Sequence, residues 1–338
     1  MEESANPFDR KLLFDHPDPY PLFQMLRQSQ PVFETQHQGR PTFLLTTYDD
    51  CLAALKDAET YSSRSNAEAG QVLGRTVLEM DGREHSRHRA LVQPAFVPKA
   101  LDGLEPFIEQ IVHEIIDAIA GQPRADLVAE FTERYPVQVS AHMLGIPQAD
   151  HPRYQRWALD LMGFTRDFAR AAAASAEVRT YLLPILAARR TAPQDDIVTR
   201  LVQGSVDGEH LSDEDVVSFL RLLIPAGAET TFRLIGNMLV GLLMERDRFE
   251  RVRADRSLVP WAIEETLRWE TSIVMLSRET TRPTSVRGVV LPEGALVSVV
   301  LGSANRDEAH YERPDEYDLD RRADDHLAFG FGRHHCVG

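Results

Sequence analysis

The sequence predicts a mainly α fold with a small β region. Helical spacing of apolar residues dominates from Glu84 to about Ile224, with breakers between the runs. Short β-rich stretches are confined to the first fifty residues and to 275–300. A proline-marked start, with Pro7, Pro17, Pro19 and Pro21, leads into a short helical pattern over Leu22–Leu26. Val32–Phe33 and Thr42–Thr47 read as strands flanking a polar turn at Gly39-Arg40-Pro41, and Asp49–Lys56 as a helix. Residues 62–79 mix Ser, Asn, Gly and Ala and read as a loop with at most a short helix. The helical stretch resolves into Pro106–Ala120, Asp126–Leu144, His151–Phe168, Ala171–Arg189 and Asp195–Gln203. A long helix then starts at the N-cap signature Ser212-x-x-Asp215 and runs to about Glu245, roughly 50 Å. A helix over 258–269 follows, then strands over 275–280, 284–291 and 296–300, and irregular chain after Pro314.

Composition bounds the function. A chain of 338 residues, 43% hydrophobic, can bury a large core and is read as one domain over 1–338. Two cysteines, Cys51 and Cys336, exclude a disulfide framework and suit a reducing compartment. Cys51 reads as a small buried hydrophobe on a helix. A net charge of −15 argues against nucleic acid as a partner. The start, Met1-Glu2-Glu3-Ser4, lacks a basic-then-apolar signal pattern, and no apolar run reaches about 18 residues. The expectation is a cytoplasmic protein with no membrane anchor.

The chemistry concentrates in the last ten residues, Phe329-Gly330-Phe331-Gly332-Arg333-His334-His335-Cys336-Val337-Gly338. Closely spaced glycines let a flat, bulky group lie against the backbone. One cysteine cannot build a Cys₄ or Cys₂His₂ zinc site, but one thiolate can serve as the axial ligand of a haem iron. Within the long helix, Pro225-Ala226-Gly227-Ala228-Glu229-Thr230-Thr231 combines a helix-kinking proline with small residues and an acid–alcohol pair. Thr230 lies on the face of Ala226, four residues earlier, and an acid beside an alcohol can relay protons. Glu265 and Arg268 are spaced i, i+3, which alone describes an ordinary helix ion pair worth ~0.2–0.5 kcal/mol. His85 and Arg89, spaced i, i+4, present two donors on one face.

Phe329, Gly330, Gly332, His334, Cys336 and Gly338 match the haem-binding pattern Phe-Gly-x-Gly-x-His-x-Cys-x-Gly, and in this the chain resembles the cytochromes P450. The helix motif resembles that family's oxygen-activation segment, and Glu265-x-x-Arg268 its Glu-x-x-Arg signature, with Arg321 as third member. The resemblance implies a b-type haem (iron protoporphyrin IX) with Cys336 as axial iron ligand. It implies cofactor contacts from His85, Arg89, Ala226, Thr230, Arg278, Phe329, His334 and Gly338, with His85, Arg89 and Arg278 on the propionates. Thr230 and Glu229 would manage protons, and Glu265, Arg268 and Arg321 would form a structural set behind the cysteine loop.

The activity implied is insertion of one atom of O₂ into a hydrophobic small molecule. Electrons would come from NAD(P)H through a ferredoxin or flavodoxin and its reductase. Arg83, Arg87 and Arg333 would lie on the proximal side as a landing patch for an acidic electron donor. Candidate substrate contacts are Ile273, Val274 and Met275, with further apolar candidates around Phe164 and Phe168 and in 62–79. An H₂O₂-dependent peroxygenase and a non-catalytic haem-binding fragment are the alternatives. Family members continue beyond the cysteine loop into a helix and a β segment, so a C-terminally incomplete P450 fold is expected. Arg233 stands where a small polar residue is commoner in the family.

Overall fold

A computed structural model describes residues 16–37, 39–97, 103–206 and 208–338. The opening around Met1–Ser4 and Pro7 lies outside the described residues. In chain order the first elements are α1 (Tyr20–Ser29), β1 (Val32–His37), β2 (Arg40–Leu45), α2 (Tyr48–Lys56), β3 (Tyr61–Ser62), α3 (Ala67–Leu73) and α4 (Gly82–Val92). There follow α5 (Leu104–Ile119), α6 (Arg134–Met143), α7 (His151–Met162), α8 (Phe168–Thr191), α9 (Ile197–Gln203), β4 (Ser205–Val206) and β5 (Glu209–His210). The chain closes with α10 (Asp213–Leu243), α11 (Arg246–Ala254), α12 (Val259–Trp269), β6 (Leu276–Thr280), β7 (Thr284–Val286), β8 (Val289–Leu291), β9 (Leu296–Val299) and α13 (Leu301–Ala304). The architecture is mainly α with a small β region, as the sequence predicts.

Helix starts follow local chemistry. Thr47 caps α2 with Asp49 and Asp50 in its first turn, where carboxylates complement the positive helix end. Asp167 accepts from the Arg170 amide to start α8, and Asp196 from that of Thr199 to start α9. Ser212 and Asp215 close a reciprocal capping box at α10: Asp215 N donates to Ser212 Oγ at 3.1 Å and Ser212 N to Asp215 Oδ2 at 3.0 Å. With 31 residues, α10 is roughly 46 Å long.

Four details depart from the expectation. Asp126–Leu144 is not one helix: a π turn over Val128–Thr132 precedes α6, with Asp126 Oδ1 taking the amides of Val128 and Ala129. Residues 284–291 form a hairpin, because Arg287 (φ 51°) and Gly288 (φ 81°) both adopt the left-handed conformation a two-residue turn requires. Helix α11 was not expected, since Val252 is its one buried residue and its charge hides any periodicity. His151–Phe168 divides into α7, a 3₁₀ turn from Gly163 and the start of α8.

The chain groups into two compact units. One holds the residues up to Asn66 with Asn237–Cys336. Its five-stranded sheet has the order β1-β2-β9-β6-β3, antiparallel throughout except for the parallel β2–β9 pair. One sheet face buries Phe43, Leu45, Val297 and Val299 with Tyr48, Cys51 and Leu55 of α2. Cys51 is fully buried and its Sγ donates to Leu45 O at 3.2 Å; burial pushes its thiol up. The other unit holds Ala67–Gly236 with Val337–Gly338 and is helical apart from the β4–β5 hairpin. Its core joins Tyr154, Trp157 and Leu161 of α7 to Ala174, Val178 and Leu182 of α8 and Val216, Val217 and Leu220 of α10. Among the described residues no helix is long and apolar enough to cross a membrane.

Candidate active site

In the sheet-bearing unit, the cysteine loop is built by backbone geometry. Gly330 (φ 67°) and Gly332 (φ 71°) both take the left-handed conformation. A Cβ on Gly332 would lie 2.7 Å from Leu55 O, so only glycine lets the loop pass this close to α2. The amide of Gly330 donates to Leu327 O at 2.8 Å, that of His335 to Gly332 O at 3.1 Å and that of Cys336 to Phe329 O at 3.0 Å. The result is a tight return that leaves the Cys336 thiol exposed. Phe329 and Phe331 are 38% and 42% exposed, and Lys56 Nζ stands 5.2 Å from the Phe331 ring centroid. His334 is half-buried and Arg333 exposed.

The structure brings Glu265, Arg268 and Arg321 together. Arg268 is fully buried and forks onto Glu265, Nε to Oε2 at 2.8 Å and Nη2 to Oε1 at 2.7 Å. Its remaining donors reach the carbonyls of Asn305, Pro314 and Glu316. Arg321 Nε adds a third contact to Glu265 Oε1 at 3.2 Å, and the Asp318 amide a fourth at 2.8 Å. One helix ion pair therefore organises the irregular chain leading to the loop. Two residues the sequence reading did not use complete the link. Buried Asn305 takes the Leu327 amide on Oδ1 at 2.7 Å, and His326 Nε2 bonds Glu264 Oε2 at 2.9 Å. A lone Asn and a lone His carry no spacing signal that could have found them.

Arg278 sits in β6 opposite Val297, is buried, and donates from Nη1 to Ser277 O at 2.8 Å. Of the substrate candidates, Met275 is buried with Phe23, Leu44 and Val300, and half-buried Val274 packs on the same cluster. Ile273 is half-buried and belongs to none of the core clusters.

The helical unit carries the other half of the set. His85, on α4, is buried and Arg89 half-buried, while Arg83 and Arg87 are exposed, Arg87 paired with Glu209. On α10, Thr230 Oγ1 donates back to Ala226 O at 2.7 Å. Ala226 is exposed and Gly227 half-buried, and a Cβ on Gly227 would make ordinary contact with Ser140 Cβ at 3.8 Å. Glu229 Oε1 accepts from Arg233 Nε and Nη2 at 2.9 and 2.7 Å. Phe168 is exposed and Phe164 packs on the unit's core. Gly338 is exposed, and a Cβ there would meet Phe96 Cδ1 at 3.8 Å.

The donor set fits a haem. Among the described residues no cluster of three or more His, Cys, Asp and Glu side chains is arranged to hold a metal ion; a single thiolate, such as Cys336 could offer, is a ligand type that haem iron accepts. Within the sheet-bearing unit, the exposed Phe329 and Phe331 rings of the cysteine loop are an apolar surface that a flat macrocycle could cover.

Comparison with known proteins agrees with this geometry. The family model described as cytochrome P450 matches residues 11–147 and 139–338. The chain is 37% identical over 316 residues to cytochrome P450 107B1 of Saccharopolyspora erythraea, covering 89% of this chain and 78% of that protein. It is 40% identical over 266 residues to cyclomarin C epoxidase CymV of Salinispora arenicola, covering 77% and 67% respectively. The crystal structure of CYP109E1 from Bacillus megaterium in complex with testosterone superposes with a TM-score of 0.86 at 32% identity, covering 95% of this chain and 86% of that one. Loop, helix motif, buried Glu-x-x-Arg pair and these similarities together place the chain in the cytochrome P450 family of haem monooxygenases.

Proposed function

We propose that this P450 inserts one oxygen atom from O₂ into a C–H or C=C bond of a hydrophobic small molecule, in the cytoplasm, with electrons from NAD(P)H through a ferredoxin- or flavodoxin-type partner and its reductase. The observation that carries the reading is the glycine-turned loop around Cys336, with Gly330 and Gly332 both left-handed and the Cys336 amide bonded to Phe329 O at 3.0 Å. Cys336 would ligate the haem iron, with Phe329, His334 and Gly338 in the surrounding loop. His85, Arg89 and Arg278 would take the propionates, since a guanidinium or imidazolium pairs with carboxylate through charge-assisted hydrogen bonds. When bound, the haem supplies the iron at which O₂ is reduced and activated.

The chain's own residues then manage protons and water. Thr230 Oγ1 can accept one proton while passing on another, because a hydroxyl is both donor and acceptor. Glu229 is the ionisable group beside it in sequence and serves as proton source. Ala226 and Gly227 keep the helix face low enough for close approach. Ile273 is the favoured substrate contact of the three candidates, since Val274 and Met275 are committed to core packing. The names of the relatives support the class: one is an epoxidase and another holds testosterone.

The test is the reduced, CO-bound absorption spectrum followed by turnover. A strongly red-shifted Soret band, lost in Cys336→Ser, is expected, together with NAD(P)H-driven product whose yield per electron falls in Thr230→Ala. A Soret band at the ordinary position, or coupling unaffected by Thr230→Ala, would refute the reading. A preference for H₂O₂ over NAD(P)H and a ferredoxin would favour the peroxygenase alternative.

A further inference from the structure

Arg233 is one turn beyond Glu229 on α10, and the reading above gives it no task. Its planar fork places two donors on one oxygen, Glu229 Oε1, at 2.9 Å from Nε and 2.7 Å from Nη2. The acid precedes the base at i, i+4, the better orientation for such a pair on a helix. The glutamate side chain is 26% exposed and the arginine side chain 51%. Oε2 is left outside the fork.

A glutamate has three side-chain torsions and visits several rotamers unless something holds its end. Two charge-assisted bonds to one oxygen anchor Oε1 and restrict the rotamers the carboxylate visits, and with them the directions open to the other oxygen. Oε1 then has its charge compensated by the guanidinium. A proton is accommodated more readily on the oxygen that does not face a cation.

We propose that Arg233 is a positioning residue for proton delivery: by holding Oε1 it assigns Oε2 as the proton-carrying oxygen of Glu229 and fixes where that proton is offered. The proposal rests on the reading of Glu229 as proton source. One proton passes from Oε2 to the Thr230 hydroxyl or to a water molecule, the carboxylate remains, and a hydronium ion from solvent returns a proton to the same oxygen, leaving water. No electrons change hands. A pair that merely stabilised the helix would influence folding and leave proton delivery alone.

The experiment uses the haem-loaded full chain with Arg233→Gln and Arg233→Lys, each made also in a Glu229→Gln background. Product per NAD(P)H oxidised, with peroxide accounted for, is expected to fall at least about threefold in Arg233→Gln through kcat rather than KM. Arg233→Lys should recover most of it. In the Glu229→Gln background Arg233→Gln should change nothing further, because the two residues act as one unit. A second readout needs no turnover: the Glu229 carboxylate band, isolated by infrared difference against Glu229→Gln, should shift in Arg233→Gln and move back in Arg233→Lys. Unchanged coupling in Arg233→Gln, an equal loss in both backgrounds, or an unmoved carboxylate band each overturns the proposal. A wild type with the red-shifted CO band but no NAD(P)H-driven product would sink the enclosing reading and the proton role with it; the infrared band would still report separately whether Arg233 holds Glu229.

Discussion

Single residues in this chain are constrained by backbone geometry as much as by chemistry. Gly332 shows the strongest case, with a left-handed φ of 71° and a would-be Cβ only 2.7 Å from Leu55 O. The obstacle is a backbone carbonyl of α2, which cannot rotate out of the way. Gly332→Ala should therefore destabilise the protein by about 1–3 kcal/mol through strain alone. It should also displace the Cys336 loop, so haem retention after gel filtration is expected to fall along with the melting temperature. A variant with wild-type melting and full haem occupancy would mean that the loop relaxes without cost. Gly330 is the milder counterpart, its added Cβ meeting the flexible Leu276 side chain at 3.4 Å and His334 O at 3.9 Å.

At the level of elements, the decisive contact is α12 against the irregular chain that leads to the loop. Burial changes the meaning of its ion pair. Exposed, a Glu–Arg pair at i, i+3 contributes a few tenths of a kcal/mol; here both side chains are at most 1% exposed. Glu265 collects Arg268, Arg321 and the Asp318 amide, while Arg268 also holds three carbonyls. Removing the negative charge leaves two guanidinium groups facing a neutral amide inside the protein. Glu265→Gln is expected to cost about 3–5 kcal/mol, measured by denaturant titration, and to release haem at lower denaturant than the wild type. A cost below about 1 kcal/mol would show that the buried arginines find other partners. The same logic makes Arg268→Lys a poor replacement, since one ammonium cannot reproduce a fork and three carbonyl contacts.

Across the whole molecule, charge is the property that reaches furthest. A net charge of −15 repels an acidic electron donor at long range, so docking has to rely on local positive groups. Arg83 is exposed on α4, whereas Arg87 on the same helix is already paired with Glu209. Arg83 is therefore the better candidate for donor contact. With a ferredoxin as donor, the contribution of Arg83 to kcat/KM is expected to shrink as ionic strength rises from about 20 to about 200 mM, because the Debye length shrinks over that range. Arg83→Glu should lower the low-salt value by roughly three- to tenfold and flatten the salt dependence. An unaltered salt profile would move the docking surface elsewhere.

The sequence by itself determined the parts of this protein whose meaning lies in local spacing. Cys336 among its glycines, Glu229 next to Thr230 in a proline-kinked helix and Glu265 three residues before Arg268 are fixed by residue type and interval. The helical bulk was legible for the same reason, since a repeat of 3.6 residues can be read without knowing what the helix packs against. The tertiary structure decided everything that depends on the opposite surface. It buried Arg268 and left Arg83 in solvent, though each is an arginine on an amphipathic helix. It recruited Asn305 and His326 to brace the cysteine loop, and committed Met275 to the core beside Phe23. It also turned 284–291 into a hairpin at Arg287, a residue whose identity does not announce a left-handed backbone. Spacing is a property of one stretch of chain; burial and partnership belong to two, and the second stretch is chosen only when the chain folds.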